Sequence, residues 1–399
     1  MWAVLSALLC AFILSTGGLN LQLSVAVYVL WGVLVYGLPK PKYGMRELLI
    51  TALILRGLLW WTEPIFSNDV FRYVWEGQLT LSGGNPYLTP PSDFQPIASE
   101  VHPYINHPHI PSIYPPIAMY WFVLMASISS TVTAMKAGFV LIDMFCVGLI
   151  AQIGKNRDLG VLPAWLYALH PLPVIELSGS GHMDGLGILF LLMAFWAVEN
   201  QRNASFWLLI GGGVKLLPAI LLPRTFRLKD SGLWLGLGLM LCFTWPFLEQ
   251  PAAFLTAIQT YSQHWSFNGS FYQVLSPIFG GWTRLILAGL GVIVVVLCLR
   301  KKVELCRLAL WICGASILLS PTVHPWYVLW AWVPALLCGN RHWTVMATLA
   351  PLSYVALLTL DPVTGQWSPP LWPSLVIYGI FGGSAGLHLL QNRKVKQHA

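Results

Sequence analysis

The chain has 399 residues, 56% of them hydrophobic and only 9% charged, with a mean hydropathy of +0.67, which excludes an ordinary soluble globular protein. Its net charge of +7 does not indicate a nucleic-acid partner, because the Lys and Arg residues lie in short loops between apolar runs, as the positive-inside rule places them. Seven cysteines lie in or beside those runs with no metal-type spacing and no disulfide framework.

Apolar runs recur near 2–18, 21–38, 47–62, 115–130, 134–154, 160–178, 183–199, 204–222, 232–248, 283–300, 305–320, 324–338, 342–360 and 371–391. Most approach the ~17–20 residues that cross ~30 Å of hydrocarbon as a helix. They predict an all-α polytopic membrane protein of about 11–14 transmembrane or re-entrant helices. Trp2 to Ser15 reads as a retained first helix, having no basic flank before it and no small-residue cleavage site after it. Twenty Trp and fourteen Tyr suit aromatic belts at the two membrane interfaces. Several runs are broken, at His170-Pro171-Leu172-Pro173 and at Gly211-Gly212-Gly213 for example. Strict alternation of full crossings would also put Lys155 and Arg157 on the same side as the large loop after Trp61, so some runs are expected to be half-crossings around a cavity.

Two stretches are too polar to span, about 63–113 and about 249–272, and charge bias places both on the non-cytoplasmic face. No linker or internal repeat divides the chain, so residues 1–399 read as one integral membrane domain.

The first polar stretch carries "SNDVFRYVWEGQLTLSGGNPYLTP", Ser67 to Pro90. Ser67 or Asn68 suits a helix N-cap, with Asp69 in the first turn. Val70, Val74, Gly77 and Leu81 share one stripe, while Asp69, Arg72, Tyr73 and Glu76 share the opposite face. This predicts an amphipathic helix in the membrane interface, ended by Gly83-Gly84 and turned by Asn85-Pro86. Its polar face is open to two readings, a solvated surface or the wall of a site.

Further along, Lys215 in "IGGGVKLLPAILLP" is a costly intramembrane cation, either a ligand for an anion or a snorkelling lysine. "GSGHMDGLG" places His182 and Asp184 at a helix start, as site residues or as a polar cap. "SPTVHPWYVLW" places His324 between two spans, where it is a proton shuttle, a hydroxyl or phosphate ligand, or an interfacial residue beside Trp326, Tyr327 and Trp330. Arg56 and Asp143 are expected to form a buried structural couple. Glu176, His264 and Asn268 are weaker candidates. With no HExxH, CxxC, P-loop or GxGxxG, neither a zinc site nor nucleotide use is expected.

Taken in order, these motifs resemble the GT-C glycosyltransferases, polytopic enzymes that take a sugar from a polyprenyl-phosphate carrier. "NDVFRYVWEGQLTLSGGNPYLTP" is similar to the first-loop motif of the polyprenol-phosphate-mannose-dependent branch, and "IYPPIAMYWFVL" (Ile113 to Leu124) to the segment that opens its next span. "LHPLPVIELSGSGHMDGLGILFLLM" and "VKLLPAILLP" are similar to stretches of GPI mannosyltransferase I. "SPTVHPWYVLW" is similar to the late His-Pro-Trp-Tyr segment of actinobacterial phosphatidylinositol mannoside mannosyltransferases. The likeness covers about residues 67 to 330. It departs from the pattern at Glu76, where Asp is common, and at "SND", which lacks an Asp-x-Asp, and that departure speaks against metal dependence.

The resemblance implies an inverting mannosyltransferase with a GT-C-like helical bundle. It would move a hexose from a polyprenyl-phosphate donor to a hydroxyl of a glycolipid or lipid-linked glycan. Asp69 is then the catalytic base, with His324 orienting a reactant. Arg72 and Lys215 hold the donor phosphate. Glu76, Asn85, Tyr87, Tyr114, His182, Asp184, Trp265, Asn268 and Tyr327 form the substrate site, and no cofactor is implied. The compact loops point to a bacterial cytoplasmic membrane, with the site facing the exterior. The competing expectation is a transporter or lipid flippase, since broken helices and a midplane lysine fit that class as well; a non-catalytic assembly subunit is a third.

Overall fold

The computed structural model describes residues 2–16, 20–37, 44–94, 100–248, 252, 256, 259, 262–263, 265–359 and 369–397. Helix accounts for 74% of the chain, and no strand occurs among the described residues. The helices follow the predicted order: α1 (Trp2–Thr16), α2 (Leu21–Tyr36), α3 (Met45–Gly57), α4 (Asp69–Leu81), α5 (Pro116–Ile128), α6 (Val132–Asn156), α7 (Leu162–Leu169), α8 (Asp184–Glu199), α9 (Ser205–Gly212), α10 (Ser231–Thr244), α11 (Ser270–Phe279), α12 (Thr283–Leu299), α13 (Leu305–Leu319), α14 (Leu329–Leu337), α15 (His342–Leu349) and α16 (Trp372–Gln397).

Two stretches, Val132–Asn156 and Ser270–Leu299, are long and apolar enough to cross a membrane. The second corrects the sequence reading, which kept the polar loop to 272 and began the span at 283. Phe271, Val274 and Ile278 form an exposed apolar stripe at helical spacing, hidden in the sequence among Ser, Tyr and Gln.

Four runs are broken, two of them where the sequence marked a break, at His170–Pro173 and at Gly211–Gly213. The run at 160–178 becomes α7, a turn at His170, and a π-helical segment over Val174–Gly179. Pro171 and Pro173 have no N–H to continue an α-helix. The run at 204–222 becomes α9 followed by a 3-10 segment over Pro218–Arg224. Those at 324–338 and 342–360 divide likewise, the first with a 3-10 turn over Pro325–Val328 ahead of α14, the second with α15 ahead of a 3-10 segment over Ala350–Thr359. An eight-residue helix such as α7 rises about 12 Å, too little to cross a bilayer.

The breaks are paired with neighbouring elements. Gly213, just past α9, offers its carbonyl to the backbone N–H groups of Ile117 (2.9 Å) and Ala118 (3.3 Å) in the first turn of α5. Those donors have no partner within their own helix. On the other side of α5, a Cβ built at Gly77 of α4 would lie 2.5 Å from the Phe122 carbonyl oxygen, so only glycine permits this approach of the two helices.

Arg56 and Asp143 pair as expected. Nε donates to Asp143 Oδ2 at 2.7 Å, both side chains being fully buried. Arg56 also donates to the Ala168 carbonyl (2.7 Å), and the Tyr167 hydroxyl donates to Asp143 Oδ1 (2.6 Å). The network joins α3, α6 and α7, and it keeps both charges hydrogen-bonded out of water. Asp143→Ala leaves the guanidinium buried and unpaired, and is expected to destabilise the fold by about 3–5 kcal/mol. Thermal unfolding in detergent measures this, and Asp143→Ala combined with Arg56→Met should recover part of the loss.

Candidate active site

A cavity of about 860 Å³ opens where the broken segments meet. Its walls come from the start of α4, the segment 106–115, Met183 and Asp184 at the head of α8, residues 214–217 and Ile220, Trp265 and Phe267, and the His324 to Tyr327 turn. Elements distant in sequence thus converge on one space.

Asp69 begins α4 and exposes 23% of its side chain to the cavity, which leaves its carboxylate reachable. Asn106 donates to Oδ1 at 3.2 Å, while Oδ2 faces His182 Nδ1 at 3.6 Å. Asn68 occupies the N-cap position but makes no side-chain cap bond; the Ser67 hydroxyl accepts instead from the Asp69 N–H at 3.3 Å. Gly83, at φ +87, turns the chain after the helix ends at Leu81, as the sequence indicated.

One turn on, Arg72 lines the cavity but spends its terminal N–H groups on the protein. Nη2 donates to the carbonyls of Asn106 (2.9 Å) and His107 (2.7 Å), and Nη1 to that of Ile110 (2.9 Å). Nη1 also lies 3.5 Å from Glu76 Oε1. The arginine therefore clamps the segment that carries Asn106 rather than facing the cavity as a free cation. Behind it Glu76 is fully buried and accepts the Ser112 hydroxyl at 3.0 Å. Burial pushes its carboxyl up to about 7, against the opposing pull of Arg72 and Ser112. Of the two readings of the polar face of α4 the solvated one fails, since 105–112 covers it; Asp69, Arg72 and Tyr73 line the cavity, whereas Glu76 does not.

Across the cavity, Lys215 Nζ donates to Asp184 Oδ1 at 2.6 Å and sits 3.6 Å from the centre of the Tyr327 ring. Trp330 Nε1 donates to the same Asp184 oxygen at 2.6 Å. The lysine keeps 24% of its side chain exposed, so an anion can approach it. His324 is stacked between Phe267 (4.8 Å) and Trp326 (4.4 Å). Burial, with His182 and Lys215 adding to it, pushes its imidazole down to about 3, so the ring is neutral at physiological pH. It is a hydrogen-bonding group there and not an acid.

Of the residues expected in the site, Asp69, Arg72, Tyr114, Asp184, Lys215, Trp265, His324 and Tyr327 line the cavity. Five others do not. Glu76 lies behind Arg72. Asn85 accepts the Tyr87 N–H (3.0 Å) within its own turn, and the Tyr87 hydroxyl donates to the Tyr114 carbonyl (2.6 Å), so both shape the loop from behind. The Asn268 amide is held by Val323 and Ser374, and its φ of +52 makes it a turn residue. His182 is fully buried under Trp326, with ring centres 3.6 Å apart. His264 lies outside the described residues.

Sequence reasoning undervalued Glu176 and missed its partners. Glu176 Oε1 accepts the hydroxyls of Tyr28 and Tyr354, each at 2.9 Å. Only a carboxylate inside an apolar run signalled it. Tyr28 and Tyr354 look like ordinary core or belt tyrosines in the sequence. Among the described residues, no three His, Cys, Asp or Glu side chains are grouped to hold a metal ion.

Charged groups facing a cavity large enough for a sugar, in an all-helical protein, make a candidate site for a polar ligand. Residues 4–228 match the family model described as alpha-(1->6)-mannopyranosyltransferase, N-terminal domain, and residues 266–386 match that of the MptB C-terminal domain. The first match alone covers more than half of the chain, so the protein belongs to this alpha-(1->6)-mannopyranosyltransferase family and is a glycosyltransferase. The expectation of a mannosyltransferase is met, and the transporter and assembly-subunit alternatives fall. The match also reaches past residue 330, where the sequence offered no motif. No curated protein and no solved structure matches the chain.

Two outcomes test this geometry. Arg72→Lys keeps the charge but loses the fork that binds three carbonyls, and is expected to lower activity at least tenfold while making 105–111 sensitive to protease. Glu76 titrates higher folded (about 7) than its ordinary 4.5, so folding takes up a proton between these values. Its contribution is complete below about 4.5 and lost as pH rises through about 7, so the unfolding temperature of wild type should fall relative to Glu76→Gln across that window.

Proposed function

We propose that this mannosyltransferase is an inverting enzyme of a bacterial cytoplasmic membrane, with its cavity on the exterior face. In this reading the chain is a single polytopic GT-C-type unit. The hydroxyls of Tyr28 and Tyr354, which reach Glu176 from opposite ends of the sequence, support one unit. The donor is a polyprenyl-phosphate mannose and the acceptor a hydroxyl of a glycolipid or lipid-linked glycan.

The observation that carries this reading is the convergence of Asp69 and Lys215 on one cavity with an apolar flank of Leu216, Leu217 and Ile220. A sugar phosphate on a lipid requires all three features. The Asp69 carboxylate accepts the proton of the acceptor hydroxyl as that oxygen bonds to the anomeric carbon. The bond from that carbon to the phosphate oxygen breaks, and its electrons leave with the phosphate. The transition state is oxocarbenium-like, and attack opposite the leaving group inverts the anomeric centre. Lys215 neutralises the departing phosphate, drawing away from Asp184 as the charge builds. Arg72 acts by holding Asn106 against Asp69 and not by binding phosphate. Neutral His324 orients the acceptor, and Trp265, Tyr114 and Tyr327 give the sugar aromatic surfaces. Asn85, Tyr87 and Asn268 support the loops.

The test is transfer of radiolabelled mannose from its polyprenyl phosphate into lipid extract. Folded Asp69→Asn is expected to lose at least about 100-fold in rate; equal activity would make Asp69 structural. Lys215→Met should lower the rate about 10- to 100-fold and raise the KM for donor more than for acceptor. Donors with other lipid-linked sugars serve as controls for the choice of mannose.

A further inference from the structure

His182 is buried, yet carboxylates face both of its ring nitrogens. Nδ1 lies 3.6 Å from Asp69 Oδ2, and Nε2 lies 3.5 Å from Glu176 Oε2. Neither nitrogen has a hydrogen-bond partner at normal length. The row begins at Asp69 on the cavity wall and ends in the core, where Tyr28 and Tyr354 donate to Glu176. Local backbone features set it up. The π-helical Val174–Gly179 segment turns Glu176 inward, and such segments recur at functional sites. Gly181, at φ +76, then reverses the chain to place the imidazole between the two carboxylates, where a Cβ at residue 181 would press on Val70 and Lys136.

A fully buried carboxylate with tyrosine donors alone keeps a large desolvation cost. Among the described residues, His182 is the cation-forming group facing Glu176. A hydrogen on Nδ1 presents an N–H to Asp69 Oδ2, and a hydrogen on Nε2 presents one to Glu176 Oε2.

We propose that His182 is a positioning residue for the reaction, backed by Glu176, which donates Nδ1–H to Asp69 Oδ2 and so fixes the carboxylate that receives the acceptor's proton. This rests on Asp69 being the base. The separations of 3.5–3.6 Å exceed a hydrogen bond, and catalytic hydrogen bonds that are long in the free enzyme close when substrate binds. No proton is consumed in the row. The acceptor's proton ends on Asp69 and passes to water once product leaves, while His182 keeps its Nδ1 hydrogen.

Two variants separate this role from simple packing, because His182 both stacks on Trp326 and faces Asp69. His182→Asn keeps an N–H donor and loses the stack; His182→Phe keeps an aromatic ring and loses the donor. Both are assayed with donor and acceptor after thermal unfolding in detergent confirms that they fold. The expected order is wild type, then Asn, then Phe, with Phe losing about 100-fold in kcat while KM for each substrate stays within about threefold. If Phe matches wild type, or Asn is the worse of the two, the stack matters and the proposal is overturned. Should Phe not fold, His182→Ala is read with added imidazole, which is expected to restore kcat at least tenfold; no restoration in a folded variant overturns it equally. Asp69→Asn runs in the same assay. If that variant is fully active, the base assignment fails; if it is dead while every His182 variant behaves as wild type, only the role of His182 fails.

Discussion

Charges buried in an apolar bundle must find partners, and the layout of this protein follows from that constraint. Leaving one such group unpaired weighs several kilocalories per mole against folding, a large share of the stability of any domain. Arg56 has Asp143, Tyr167 and the Ala168 carbonyl within the α3–α6–α7 junction. Arg72 has three carbonyls and Glu76. Glu176 has two tyrosines and faces His182. Lys215 has Asp184 and the face of Tyr327. The first of these pairings holds the scaffold, Arg72 and Lys215 line the cavity, and Glu176 lies behind it in the core.

The broken helices serve the same end. Non-helical backbone within an apolar layer survives only where protein covers it or water reaches it. Here the breaks at Gly213–Lys215 and Ser320–His324 bring backbone turns, and the side chains of Lys215 and His324 on them, to the cavity, while the break at His170–Gly181 places Glu176 in the core behind it. Their orphan backbone groups find partners across elements. The Gly213 carbonyl accepts from the start of α5, and the Pro321 carbonyl accepts from the N–H of Phe267 at 3.0 Å. An unbroken set of spans would satisfy every backbone group internally and leave no site.

The cavity itself is asymmetric in charge. Asp69 sits at one wall beside a histidine and an asparagine, while Lys215 sits at another with its acidic partner shared by Trp330. A neutral His324, stacked between aromatic rings, adds hydrogen-bonding capacity without charge. In the proposed mannosyl transfer this separation lets the carboxylate and the lysine serve opposite sides of the anomeric carbon.

Much of this was legible in the sequence. Asp69 as candidate base is what the family resemblance implies; the order of the helices, the boundaries of α4 and its glycine stop follow from patterns that repeat within a turn or two of the chain. So does the choice of Lys215 as a cation with no place in lipid. What only the tertiary structure decided is which polar group meets which. Arg72 reads in the sequence as a free cation on a helix face, yet its partners lie 34 to 38 residues away in a covering loop. Asn268 reads as a sugar ligand, yet its amide is taken by Ser374, 106 residues on. Tyr28 and Tyr354, at opposite ends of the chain, meet on Glu176. Helical periodicity is a local property and can be read residue by residue; the satisfaction of buried polar groups is set by long-range packing, which a single sequence does not display.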